Sequence, residues 1–168
     1  NHAASAPVSE AIDYHYYASP SNRTNISCYT SIFSQADGFI ERVRAVEAVR
    51  RRLSPSTKTY LKELGVIAPG DPFSMTPLPD LFWSASAAYW VYLYSQLALL
   101  KIDVASMSQL VGGLHDQGKN GLGHGANYAS VTMLDWVTGK PNARYYALRM
   151  LVQAFGSRVK RLVQTDLD

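Results

Sequence analysis

Residues 57–67 read Thr-Lys-Thr-Tyr-Leu-Lys-Glu-Leu-Gly-Val-Ile, and Pro69-Gly70 follows closely. β-branched and aromatic residues ended by a turn signal predict a strand. What flanks this strand decides the fold class. Upstream, Phe39, Ile40, Val43, Val46, Val49 and Leu53 recur on one broad helical stripe, and Arg42, Arg44, Arg50, Arg51 and Arg52 lie largely off it. Asp37 is placed to cap this helix, and Ser54-Pro55 to stop it. Downstream, a proline-rich loop from Asp71 to Asp80 leads to a second helix from about Ser84 to Lys101. That helix is apolar nearly all round, so it should be packed on more than one side.

The alternation extends both ways. Ala11-Ile-Asp-Tyr-His-Tyr-Tyr-Ala18, bounded by Ser19-Pro20, predicts a first strand, and the run from Val104 to Val111, ended by Gly112-Gly113, predicts a third. A glycine-rich loop, Leu114 to Gly125, and a short extended piece, Ala129 to Trp136, come next. The last helix has Pro141 just inside its start and Gly156 as its C-cap, and should bury Tyr145, Leu148, Leu151, Val152 and Phe155. The order β-α-β-α-β-α predicts an α/β fold with right-handed crossovers and a parallel sheet. In such a sheet, chemistry sits beyond the carboxyl ends of the strands.

Composition narrows the class. The chain has 168 residues, 47% of them apolar and 17% charged, which suits one domain with its own core and excludes intrinsic disorder. The lone Cys28 excludes a disulfide framework and a cysteine-based zinc site. The longest apolar run, Ala85 to Leu100, is interrupted by Ser95 and Gln96 and stops short of the roughly 20 residues of a bilayer span. A net charge of +3, spread mainly over helix faces, does not indicate nucleic acid. Two adjacent glycosylation sequons, Asn22-Arg-Thr and Asn25-Ile-Ser, point to a secreted or extracellular glycoprotein. The start, Asn1-His-Ala-Ala-Ser-Ala-Pro, resembles neither a signal peptide nor an initiation site, so a processed product or fragment is expected.

Glu63 is the residue best placed for chemistry. The four glutamates are Glu10, Glu41, Glu47 and Glu63, and only Glu63 stands inside an apolar strand. A carboxylate there must be paired, hydrogen-bonded or used, unless it faces solvent at an edge. Tyr14-His-Tyr-Tyr17 on the preceding strand offers hydroxyls and an imidazole to hold it, with His15 and Tyr17 on one face and Tyr14 and Tyr16 on the other. Ser108 and Gln109 close the third strand, which makes Gln109 a candidate substrate contact. The glycine-rich loop holds His115, Asp116 and His124 without tight ligand spacing, so no metal is expected. No cofactor is expected either, because Gly121-Leu-Gly-His-Gly is not a dinucleotide fingerprint. Ser106 and Ser108 lack a nucleophile-elbow context. Trp83, Trp90 and Trp136 suit core or rim positions.

Three of these segments together resemble a known family. Tyr14-His-Tyr-Tyr, then Lys-Glu-Leu-Gly-Val-Ile at 62–67, then Lys140-Pro-Asn-Ala-Arg-Tyr-Tyr, are similar to the closing half of a retaining glycoside hydrolase barrel of the large clan with both carboxylates on strand ends. The order looks most like the heparanase and β-glucuronidase family, with the α-iduronidase and β-xylosidase families as neighbours. The resemblance covers roughly residues 11–156. It implies a partial (β/α)₈ barrel made of strands six to eight, with Glu63 as the catalytic nucleophile. It also implies that His15 and Tyr17 contact the sugar and the nucleophile.

The chain departs from that family in two respects. No Asn-Glu pair supplies the acid/base carboxylate, which belongs on the fourth strand, and three βα units stand where a full barrel has eight, with no accessory β-sandwich expected in this sequence. Residues 1–168 are therefore expected to form a single partial barrel domain, inactive alone, that acts on a carbohydrate when complete. The rival expectations are a non-catalytic carbohydrate-binding or scaffold protein, and a half-barrel completed by a partner chain or by self-association. Three parallel strands leave two open edges, so some of Ile12, Tyr14, Leu61, Val66, Met107 and Leu110 should be left wet.

Overall fold

The computed structural model describes residues 9–71, 74, 76–108, 110–111, 129–134 and 138–155. Its elements are β1 (Ala11–Ala18), α1 (Ser31–Leu53), β2 (Lys58–Val66), α2 (Asp80–Leu99), β3 (Val104–Met107) and α3 (Ala143–Phe155), with short 3₁₀ turns at Ile26–Cys28 and Ala129–Val131. The strands form one three-stranded sheet in the order β1-β2-β3, and both neighbouring pairs are parallel. The α/β class with an all-parallel sheet thus stands as expected.

The core lies between one face of the sheet and the helices. Ala18, Leu61, Leu64 and Val66 of the strands are buried together with Ile32, Phe39, Ile40 and Val43 of α1 and Phe82, Tyr89, Trp90 and Leu93 of α2. The Tyr16 ring stacks on Phe39 with centroids 4.0 Å apart. Each Leu, Ile, Val or Phe among them contributes about 1.5–3 kcal/mol when fully buried. The opposite face is polar, carrying Asp13, His15 and Tyr17 of β1 with Tyr60, Lys62 and Glu63 of β2, all at least partly exposed. Of the strand residues expected to be wet, Leu61 and Val66 are completely buried, while Leu110, beyond the end of β3, is exposed. Most exposed apolar side chains are on helices instead, among them Val46, Val49 and Leu53 of α1 and Tyr146, Met150 and Val152 of α3.

Several boundaries move from their expected places. Asp37 does not cap α1; it sits exposed within the helix, which starts at Ser31, and accepts a hydrogen bond from the Tyr92 hydroxyl. The helix starts earlier because Ile32, Ala36, Ile40 and Val43 form one buried row. Four residues on, that row continues to Glu47 rather than to Val46 or Val49. α2 starts at Asp80, directly after Pro79, and β3 ends at Met107. The expected extended piece opens as the 3₁₀ turn Ala129–Val131, and Pro141 pairs in an antiparallel bridge with Leu134 instead of opening α3. Asn142 Oδ1 accepts the Arg144 N–H at 3.0 Å, which caps a helix beginning at Ala143. The buried row of α3 is Arg144, Ala147 and Leu151, with Val152 on the outside. Gly156 and the Phe155 side chain lie outside the described residues.

Candidate functional site

The site is made by a bulge at Lys62. Tyr14 pairs with Leu61 across the ladder, but His15 pairs with Glu63, so β2 carries one extra residue between them. The β2–β3 register shifts over the same segment, between Leu61 and Leu64. Strict alternation would put Leu61 and Glu63 on one face. The bulge resets the count, so Leu61 and Leu64 both enter the core while Glu63 joins His15 and Tyr17 on the open face. Its loose ends are tied down. The Lys62 carbonyl accepts from Ser106 Oγ at 2.7 Å, and the Lys62 ammonium reaches Asp13 Oδ2 at 2.8 Å.

Glu63 is then held from one side. The Tyr17 hydroxyl donates to Glu63 Oε2 at 2.8 Å. His15 Nδ1 lies 3.5 Å from the same oxygen, and His15 Nε2 lies 3.9 Å from Asp13 Oδ1. Gly65 pairs with Tyr17 in the ladder, and a Cβ added there would meet two Tyr17 ring carbons at 3.2 and 3.3 Å. The missing side chain lets the ring lie across β2 and carry its hydroxyl back to Glu63. The Glu63 side chain remains 43% exposed. Among the described residues, nothing bonds its Oε1. A carboxylate oriented by a phenol and open on its other oxygen can accept a ligand hydroxyl, act as a general base, or attack an electrophile.

A second polar cluster stands past the carboxyl end of the sheet. The Arg23 guanidinium bonds the Thr76 carbonyl at 2.7 Å, the Pro69 carbonyl at 3.1 Å and Asp71 Oδ1 at 2.6 Å. Asp71 Oδ2 accepts from the Ser130 backbone N–H at 2.9 Å and from its hydroxyl at 2.5 Å, while Ser130 Oγ accepts the Ala68 N–H at 2.8 Å. Arg144 is fully buried. Its Nη2 reaches the Val66 carbonyl at 3.3 Å and Ser86 Oγ at 3.2 Å, and its guanidinium carbon lies 5.1–5.4 Å from the ring centroids of Phe82, Trp83 and Trp90. Burial pulls its pKa down to about 9, against the opposing field of Asp71. The Arg23–Asp71–Ser130 bonds tie the loops after β1 and β2 to the turn Ala129–Val131, while Arg144 ties α3 to the end of β2 and to α2.

At the amino end of β2, Glu47 is 2% exposed and accepts from Thr59 Oγ1 and from Arg50 Nε and Nη2, the latter two at 3.0 and 2.7 Å. Burial alone would raise its pKa, but the bonds from Arg50 and Thr59 outweigh that and lower it. Neither Glu47 nor Arg144 stands out in the sequence, because apolar neighbours on α1 and α3 suggest a different helical stripe. Arg23 and Asp71, in loops, give no signal either.

The structure therefore brings Glu63, His15 and Tyr17 together. Gln109 lies outside the described residues, as do His115, Asp116, His124 and Trp136. Trp90 is buried and Trp83 half-buried. Asn22 and Asn25 are exposed in the β1–α1 loop, where their amide oxygens accept the Thr24 and Ser27 N–H groups at 2.9 and 3.1 Å. Among the described residues, no group of three or more His, Cys, Asp or Glu side chains could hold a metal, and no helix is long and apolar enough to cross a membrane. No protein-family model matches this chain, and no curated protein or solved structure does either.

Proposed function

We propose that the chain is the nucleophile-bearing portion of a retaining glycoside hydrolase barrel, in which Glu63 attacks the anomeric carbon of a sugar. The observation that carries this reading is the Glu63 carboxylate on the open face of a parallel sheet, fixed by the Tyr17 hydroxyl at 2.8 Å with His15 beside it. The sequential strand order and the packing of α1 and α2 on one face suit strands six to eight of a (β/α)₈ barrel, whose lumen would be the polar face. In the reaction, Glu63 would form a glycosyl ester with inversion at the anomeric carbon, and water would cleave it with a second inversion. Tyr17 would hold the carboxylate in line and His15 would meet the sugar. A second carboxyl, about 5 Å away, would protonate the leaving oxygen and later activate water. The exposed Asn22 and Asn25 sequons support a secreted glycoprotein acting on carbohydrate.

Binding without turnover is the second reading, and Asp13 favours it. The other carboxylate on this face is engaged by Lys62 at 2.8 Å, which leaves Glu63 without an evident acid partner among the described residues. Activated 2-deoxy-2-fluoroglycosides separate the two readings, because their leaving groups depart without acid assistance. A panel of glucuronide, glucoside and xyloside probes is applied to this chain and to the longest native polypeptide carrying it. Mass shift of a peptide containing Glu63, lost in Glu63→Gln, supports the nucleophile. Sugar binding with no label from any probe in either protein assigns a binding module instead.

A further inference from the structure

The end of the sheet away from Glu63 carries a groove of about 530 Å³ between the end of α1, the start of β2 and the α2–β3 turn. Arg50, Arg51, Lys58 and Lys101 line it, with Asp103 as the one carboxylate on its wall. Its volume falls within the range of small-molecule sites. Two of the cations also have structural duties. Arg50 and Arg51 both reach Glu47, and Arg51 Nη2 bonds the Leu100 carbonyl at 2.6 Å, where the α2 carbonyls run out. Glu47 and Asp103 offset two of the four cations, so the groove keeps a positive excess.

Lys101 is the telling residue. α2 ends with its Lys101 N–H on the Ala98 carbonyl at 3.0 Å and its Ile102 N–H on the Leu97 carbonyl at 3.2 Å. Those two bonds define a terminus whose first residue past the cap is left-handed and is usually glycine. Here it is a lysine at φ 58°, among the described residues the only one besides glycine with a positive φ. A side chain in that conformation is disfavoured. The groove is thus lined by a lysine at a position where glycine would suit the backbone better.

We propose that this groove binds a multiply charged oxyanion bearing phosphoryl or sulfuryl groups, with Lys58 and Lys101 as its flexible cationic contacts and Arg51 as a fixed one. Attraction of this kind is strong at low ionic strength and weakens as salt screens it. The site is independent of Glu63 and of the reading proposed for it.

Titration calorimetry with inositol hexakisphosphate and inositol hexasulfate tests the idea, since the two share one scaffold and differ in the anionic group. Saturable 1:1 binding at low salt is expected, with affinity falling about tenfold or more at high salt, and the tighter ligand identifies the group preferred. Lys101→Gly should weaken binding about fivefold or more while the Tm holds or rises by up to about 4 °C. Lys58→Gln should weaken it comparably with the Tm unchanged, which keeps the test intact if the glycine variant folds poorly. Absence of binding at low salt, or affinities that neither variant changes, would overturn the proposal.

Discussion

Glu47 and Glu63 make similar first contacts and end in opposite conditions. Each accepts a hydrogen bond from a hydroxyl of a β-strand, Thr59 for Glu47 and Tyr17 for Glu63. Glu47 then collects the Arg50 guanidinium and disappears from solvent, whereas Glu63 stays half-exposed and, among the described residues, is bonded through one oxygen only. A buried carboxylate with all its acceptors filled has no capacity left for a ligand. Its chemistry is confined to holding α1 against the amino end of β2. A carboxylate bonded on one oxygen is oriented but not consumed, which is the condition a nucleophile or ligand acceptor requires.

The largest test of that contrast is removal of the buried carboxylate. Glu47→Ala strips the partner from Arg50, whose side chain is only 11% exposed. Breaking a buried pair in this way costs about 3–5 kcal/mol. Urea unfolding should show that loss, and a cost under about 1 kcal/mol would mean that solvent reaches the pair and the contrast is overstated.

How much of this was legible in the sequence depends on which periodicity a residue obeyed. β1 alternates cleanly, so its bounds and the shared face of His15 and Tyr17 could be read directly. β2 does not alternate, and period-two counting would assign Glu63 to the same face as Leu61, inside the core. The bulge at Lys62 has no marker of its own, because the Ser106 hydroxyl that accommodates it comes from β3, 44 residues later in the chain. The opposite misreading occurred on α1. Val46, Val49 and Leu53 extended an apolar stripe that the structure leaves in solvent, while the buried row passed through Glu47. The Arg50 and Thr59 bonds that make such burial tolerable are tertiary or local pairings that hydropathy does not register.

Acid should reveal the same pair by titration. Glu47 has its pKa lowered in the folded state from an ordinary value of 4.5. A lowered folded value means that ionised Glu47 contributes stability above pH 4.5, and that this contribution is lost as pH falls through the lowered value. The stability gap between wild type and Glu47→Gln should therefore be full near neutral pH and shrink on acidification below that point. Denaturation curves across that range check it, and a gap independent of pH would assign the stabilisation to packing rather than to charge.

A smaller effect is expected at the Tyr17–Gly65 crossing. A methyl group at position 65 must push the Tyr17 ring by a few tenths of an ångström, since its nearest ring carbon stands at 3.2 Å. Gly65→Ala should cost about 1 kcal/mol, at the low end for overpacking, because the ring is partly exposed and able to shift. Displacing the ring also moves the hydroxyl that orients Glu63. The variant should therefore reduce labelling of Glu63 by a fluoroglycoside more than its stability loss accounts for. Equal labelling would show that Tyr17 is not what positions the carboxylate.

The smallest expected change in stability belongs to the residue placed at the centre of the site. Glu63→Gln keeps the shape of the side chain, and the amide oxygen still accepts the Tyr17 hydroxyl. His15 loses a charged neighbour at 3.5 Å, but both side chains are more than two-fifths exposed, so water screens that pair. The net cost should stay within about 0.5 kcal/mol, as for a surface position. The contrast with Glu47 then becomes quantitative: removing one carboxylate costs the fold dearly, and neutralising the other leaves it nearly untouched. A loss at Glu63 comparable to that at Glu47 would move the carboxylate from the functional side of the comparison to the structural one. A neutral result together with lost labelling keeps it where the open face of the sheet puts it.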